Sequence, residues 1–280
     1  MAYLEMPDHI PLYYEERGEG ETILLVHGWS CNGGYWWQKN VESLSESYHV
    51  VTVDLRGHGQ SGKTDHNHTL SQYAQDIRHL MESLNLTDVT LVGWSMGTAI
   101  ALSYFDQFGS DRLRSFVFVD MSPYMFSEEG WEYPLFGEFT PEALDGVVEA
   151  LQNDRPSFVK EQILEAFFIE RPSEDVIDEM YAEMMKTPTG VTVAAFQAFC
   201  DNDFRDVVGK IDIPTLLVYA EGSAIFPGDV GAWMHEQIPD SELVVFENSS
   251  HCPFWEEPER FNHELATFVA GLKDRMIGAP

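Results

Sequence analysis

Gly93-Trp94-Ser95-Met96-Gly97 lies between an apolar run, Val89-Thr90-Leu91-Val92, and a helix-like run, Thr98-Ala99-Ile100-Ala101-Leu102-Ser103-Tyr104-Phe105. The pattern is G-x-S-x-G with a buried strand before it and a helix after it, the setting in which the serine occupies a sharp strand-to-helix corner. Glycine at 93 and 97 permits that corner, because a side chain at either place would meet the tight turn or the adjoining backbone. The Ser95 hydroxyl then stands clear of the sheet at the positive end of the following helix. Ser95 is therefore the expected nucleophile, and the amide of Met96 is an expected donor to a developing oxyanion.

Outward from this corner, strand and helix alternate. Residues 10–17 and 22–26 read as strands and together resemble a hairpin opening the sheet. His27-Gly28-Trp29-Ser30 follows the second strand and puts backbone amides at the carboxyl edge, where ligands bind in open α/β sheets. Residues 49–54 are a third buried strand, 70–84 a helix and 113–119 a further strand ending at Asp120. This alternation specifies a mostly parallel sheet with right-handed crossovers, flanked by helices.

Residues 57–64 spell G-x-x-x-x-G-K-T, a literal match to a phosphate-cradling loop. A true loop of that kind opens a helix at its Lys-Thr, whereas here Asp65-His66-Asn67-His68 intervenes and the helical pattern starts near Leu70. A structural turn is expected instead, with Asp54 and Arg56 in a local salt bridge. His66 and His68 lack clustered partners and are expected at the exposed start of the helix, so no metal site is assigned.

Residues 121–207 break the rhythm. They hold no clear strand but helical pieces over 141–152, 156–170, 173–186 and 190–202, rich in Phe, Met and Trp. The expectation is a core formed by 1–120 and 208–280 with a helical cap, 121–207, inserted after the sixth strand. Most of the apolar stripes would simply pack the helices. A roof over Ser95 would also line an apolar pocket, expected from His27, Trp94, Tyr124, Trp131, Phe136, Phe167 and Phe226. Afterwards come a strand at 213–219, a helix at 228–237, a last strand at 241–246 and a closing helix at 258–273. His251 sits in the loop after that last strand, on the edge that carries Ser95. It is the expected general base.

Sixteen basic against 47 acidic side chains give a net charge of −31 over 280 residues. Such a surface repels nucleic acid and anionic membranes, so neither is an expected partner. The acids are dispersed, and only six residues are lysine. That suits a surface kept hydrated at high salt and suggests a halophilic or marine source. Hydrophobic residues make up 44%, enough for a sizeable core. The N-terminus shows neither a basic start nor an apolar stretch, and no run approaches a membrane span. With Cys31, Cys200 and Cys252 widely separated, the expectation is a cytoplasmic protein with free thiols.

His27-Gly28-Trp29, Asp54-Leu55-Arg56-Gly57-His58-Gly59, Gly93-Trp94-Ser95-Met96-Gly97 and Ser250-His251-Cys252-Pro253 together resemble the α/β-hydrolase superfamily, in its capped esterase and cofactor-free haloperoxidase-like branch. The resemblance spans nearly the whole chain. It implies Ser95 as nucleophile, His251 as base, oxyanion donors from the amides of Trp29 and Met96, and no metal or organic cofactor. The third member departs from the pattern: Ser223 in Ala220-Glu221-Gly222-Ser223-Ala224-Ile225-Phe226-Pro227 stands where the family acid is usual. A serine cannot supply the charge that holds the imidazole tautomer. Asp120 is the expected acid, with Glu221 and then Asp229 as alternatives. The function implied is hydrolysis of small to medium carboxylic esters or lactones through an acyl-enzyme. The alternatives are a carbon–carbon bond hydrolase, a perhydrolase or a cofactor-free dioxygenase of the same fold, or a ligand-binding or signalling protein with little turnover.

Overall fold

Strands Thr22–Val26, Val89–Trp94 and Thr215–Ala220 are buried at every residue, which requires cover on both faces. The computed structural model describes residues 1–277 and supplies that cover with helices. Strands β1 (Ala2–Glu5), β2 (Pro11–Arg17), β3 (Thr22–Val26), β4 (His49–Val53), β5 (Val89–Trp94), β6 (Leu113–Val119), β7 (Thr215–Ala220) and β8 (Ser241–Phe246) form one sheet. Their order is β1-β2-β4-β3-β5-β6-β7-β8. From β4 across to β8 every pairing is parallel, and β1 and β2 add an antiparallel edge.

One expectation fails at that edge, and one strand there was not foreseen. β2 and β3 do not form a hairpin, because β4 lies between them, antiparallel to β2 (Tyr14 opposite Val53) and parallel to β3 (Thr22 opposite His49). The connecting turn packs against the approach to β4, where a Cβ on Gly18 would strike the Ser45 and Tyr48 carbonyls. β1 was not legible: four residues alternating between half-buried and exposed carry too little pattern to mark a strand.

The glycine-rich stretch after β4 is a self-contained turn. The Lys63 ammonium donates to the carbonyls of His58 (2.9 Å), Gly59 (2.5 Å) and Ser61 (3.0 Å), and the next helix begins only at Leu70. The expected Asp54–Arg56 pair is not formed. Asp54 instead accepts from the amides of Gly33 (2.8 Å) and Gln60 (2.7 Å). Arg56, fully buried, pairs through two nitrogens with Asp76 on the helix Leu70–Ser83 and through a third with Asp8. His66 is exposed, but His68 is buried: one ring nitrogen donates to the Thr64 carbonyl and the other meets the Tyr73 hydroxyl, each at 2.9 Å. Among the described residues no cluster could hold a metal ion.

Between β6 and β7 the chain is helical, with main pieces Pro141–Phe158, Glu174–Met184 and Thr189–Cys200. The break expected before Pro156 is a kink at Asp154 (φ −149°, ψ 61°) within Pro141–Phe158, followed by a π-helical turn, Val159–Ile163. Cys31, Cys200 and Cys252 are free and buried. Among the described residues no helix is long and apolar enough to cross a membrane.

The surface charge makes its own prediction. Self-repulsion from a net −31 should ease as the screening length falls from about 10 Å at about 0.1 M salt to about 3 Å at about 1 M. The melting temperature should therefore rise across that range of KCl, and a flat profile would remove the electrostatic reading.

Candidate active site

A parallel sheet delivers all its strand ends to one edge. Here Trp29 follows β3, Ser95 β5, Asp120 β6, Ser223 β7 and His251 β8.

Ser95 has φ 54° and ψ −120°, a backbone state that costs on the order of 1–3 kcal/mol for a side-chain-bearing residue. Neighbours hold it there. Its amide donates to the Val119 carbonyl at 2.9 Å, and its carbonyl accepts from the Thr98 and Ala99 amides at 2.8 and 3.3 Å. The flanking glycines are required sterically: a Cβ at 93 would run into the Gly97 carbonyl, and one at 97 into the Val26 carbonyl. Met96 opens the helix Met96–Phe108, so its amide belongs to a first turn whose N–H groups have no intrahelical acceptor.

Asp120, fully buried with φ 41°, is fixed through its amide to the Val218 carbonyl at 2.9 Å. The His251 Nδ1–H donates to Asp120 Oδ2 at 2.6 Å, which leaves Nε2 as the nitrogen able to accept a proton. Ser223 Oγ donates to the same oxygen at 2.7 Å and itself accepts from the Phe226 amide at 3.2 Å. The serine at the position where the acid is usual thus donates to the Asp120 carboxylate that holds His251. Glu221 and Asp229 are exposed.

The loop carrying His251 is braced from several sides. Trp94 Nε1 donates to the His251 carbonyl at 2.8 Å, and Ser250 Oγ donates to the Ala166 carbonyl at 3.0 Å. The imidazole is boxed by Trp94, Phe167 and Phe226, with ring centroids 5.3, 5.1 and 5.7 Å away.

Ser95 and His251 line one apolar cavity of about 30 Å³. Of the expected pocket residues, Trp94, Phe136 and Phe167 also line it. Phe226 stands against the imidazole without lining the cavity. Tyr124 and Trp131 lie elsewhere, packed on the Arg205 guanidinium at 4.2 and 5.2 Å. Phe196, Phe199, Ile163 and Ile225 line it as well. The spacing of Phe196 and Phe199 on one helix was a usable signal, since residues three apart share a face.

His27 is fully buried rather than in the pocket. Its Nδ1–H donates to the Gly28 carbonyl at 2.7 Å and its Nε2 accepts from the Leu55 amide at 3.0 Å, tying the loop after β3 to the loop after β4. Burial holds its pKa down to about 4. An unfolded histidine takes up its proton near 6.5, so between about 6.5 and 4 the unfolded state binds a proton that the folded state refuses. Stability should fall as pH falls through that window, by roughly 3 kcal/mol in all from this residue. The check is an NMR titration: the His27 ring should remain neutral at pH 5, and a midpoint near 6.5 would refute this.

Trp29 is pinned between the core and the helical segment. Its Nε1 donates to the Thr192 carbonyl at 2.8 Å, and its ring lies 5.2 Å from that of Phe196. The next residue, Ser30 (φ 59°), accepts from Arg155 at 3.1 Å. Arg155 is buried, and it donates also to the carbonyls of Thr187 (2.6 Å) and Met184 (2.8 Å). Nothing in the sequence singled it out.

A sequence model described as alpha/beta hydrolase fold matches residues 21–258. The chain is 30% identical to the non-heme chloroperoxidase CPO-A1 of Kitasatospora aureofaciens over 94% of its own length and 97% of that protein. It is 29% identical to a pimeloyl-[acyl-carrier protein] methyl ester esterase of Aliivibrio fischeri, covering 92% and 97%. Among solved structures, an esterase from Exiguobacterium antarcticum superposes with a TM-score of 0.90 at 29% identity, over 96% of this chain and 98% of that one. The chain belongs to the α/β-hydrolase family, in its esterase and haloperoxidase-like branch.

Proposed function

We propose that the protein is a serine hydrolase that cleaves small to medium carboxylic esters, lactones among them, through an acyl-enzyme. The observation that carries this reading is the 2.6 Å hydrogen bond from His251 Nδ1 to Asp120, with that imidazole facing the same cavity as Ser95 on its left-handed corner. A serine hydroxyl is a weak nucleophile until a base takes its proton, and the Asp120 bond fixes the tautomer whose Nε2 can do so.

In the proposed reaction, Ser95 Oγ attacks the ester carbonyl carbon as His251 takes its proton. The amides of Trp29 and Met96 hold the oxyanion, each contributing about 10²–10³ in rate. His251 then protonates the departing alcohol oxygen. Water, deprotonated by the same imidazole, releases the acid and regenerates Ser95. Residues 121–207 act as a cap whose Phe136, Phe167 and Phe196 keep bulk water from the acyl-enzyme.

The test is covalent. A fluorophosphonate should label the protein once, with the adduct on the peptide containing Ser95, and nitrophenyl acetate should give a nitrophenol burst stoichiometric with enzyme. Labelling elsewhere, or neither labelling nor burst, would end this reading.

A further inference from the structure

The cavity at Ser95 holds about 30 Å³, enough for one or two waters and too little for a whole ester. A groove of about 340 Å³ adjoins it, and Phe136 and Ile163 line both spaces. Phe139, Val147, Phe158 and Ala166 extend the apolar wall of the groove, with Glu138 and Gln162 as its polar members.

Two contacts tie the groove wall to the residues around His251. The carbonyl of Ala166 accepts from Ser250 Oγ at 3.0 Å, next to His251. The Phe136 amide donates to the carbonyl of Ile225 at 2.8 Å, and Ile225 lines the cavity beside His251. In acyl transfer the general acid faces the leaving oxygen, so the substituent on that side is the alcohol.

Phe136 is the partition between the two spaces. It is 41% exposed, unusual for a large apolar ring, and its backbone (φ 57°, ψ 18°) is left-handed, a state a bulky residue holds only at a cost. Strain of this kind at a shared wall is where a functional role is expected.

We infer that the groove binds the apolar alcohol portion of the substrate while the small cavity takes a short acyl group. The preferred substrates are then short-chain acyl esters of apolar or aromatic alcohols. This rests on the hydrolase reading of Ser95. The bond from Ser95 Oγ to the acyl carbon forms, the bond from that carbon to the alcohol oxygen breaks, and the serine proton passes through His251 to the alcohol, which leaves into the groove.

The experiment compares ethyl and hexyl acetate. Each buried methylene is worth about fourfold, so four extra ones should favour hexyl acetate by up to about 10² in kcat/KM. Ala143→Trp, at a solvent-facing position on the groove, should cut kcat/KM for hexyl acetate tenfold or more and leave ethyl acetate within twofold. Val147→Trp should do the same, with circular dichroism checking that both variants fold. In parallel, calorimetry should find 1-octanol bound by Ser95→Ala and not by Ser95→Ala/Ala143→Trp, a result independent of turnover. Equal losses on both acetates, unchanged octanol binding, or a loss confined to nitrophenyl hexanoate, whose long chain is on the acyl side, would each overturn the assignment. Groove-dependent octanol binding in a protein that cleaves no ester would keep the groove and discard the hydrolysis.

Discussion

Asp120→Asn should lower kcat for nitrophenyl acetate by about 10⁴ while leaving the fold intact. Asparagine has the shape of the carboxylate but not its charge. It can also turn its amide nitrogen toward the imidazole, because Ser223 Oγ, now a donor to Asp120 Oδ2, is able to accept instead. The imidazole would then carry its proton on Nε2 and could not take one from Ser95. Glu221→Gln, on an exposed side chain, should leave kcat within about twofold. A small loss at Asp120 with a large one at Glu221 would reverse the assignment. A sharper test uses Ser223, whose hydroxyl lies 2.7 Å from the oxygen that binds His251. In Asp120→Ala the double variant with Ser223→Asp should recover at least tenfold of the lost rate, because a carboxylate extending from 223 enters the space vacated at 120. Ser223→Asp alone should be slower than the parent, since two carboxylates would share one imidazole. Absence of any recovery would show that residue 223 does not look onto the histidine.

The way these side chains are placed explains why one part of this site was legible in the sequence and another was not. Ser95 could be read because the elbow needs a local pattern: small residues at 93 and 97, a β-rich run before and a helix after. Asp120 could be placed by arithmetic, since one helix and one strand separate it from Ser95 and parallel strands end on a common edge. Pairing across the sheet was harder. The turn between β2 and β3 suited a hairpin, and only the competition of β4 for both neighbours decided otherwise. Tyr124 and Trp131 show the same limit. Aromatic composition marked the segment as a pocket wall, but their packing on Arg205 depends on a guanidinium more than 70 residues away. Asp54 and Arg56 looked like partners because they were close in sequence; each found a better geometry farther off, Asp54 on the two backbone amides and Arg56 in a two-point contact with Asp76.

Arg155→Met should lower the melting temperature by roughly 6–12 °C and reduce kcat about tenfold with little change in KM. The guanidinium is buried, and burial pulls its pKa down to about 10, so it remains charged at neutral pH. Met184 ends the helix Glu174–Met184, and a cation on its carbonyl meets the negative end of that helix, with the Thr187 carbonyl and the Ser30 hydroxyl completing the set. Methionine fills similar space but leaves these three acceptors without the guanidinium, at a cost of roughly 3 kcal/mol in total if each loses about 1 kcal/mol, the low end for a buried polar group stranded. The effect on rate follows from Ser30, which holds a left-handed backbone directly after Trp29, the proposed oxyanion donor. Releasing Ser30 would let that amide drift from the place where charge develops, which weakens the transition state more than the bound ester and so lowers kcat rather than raising KM. Arg155→Lys should recover part of the stability, as one ammonium can serve only some of the three acceptors in this geometry. Measured well below the melting point of each variant, a lower melting temperature with kcat unchanged would make Arg155 a purely structural strut, and no change in either would mean that the helical segment is held over Ser95 by other contacts.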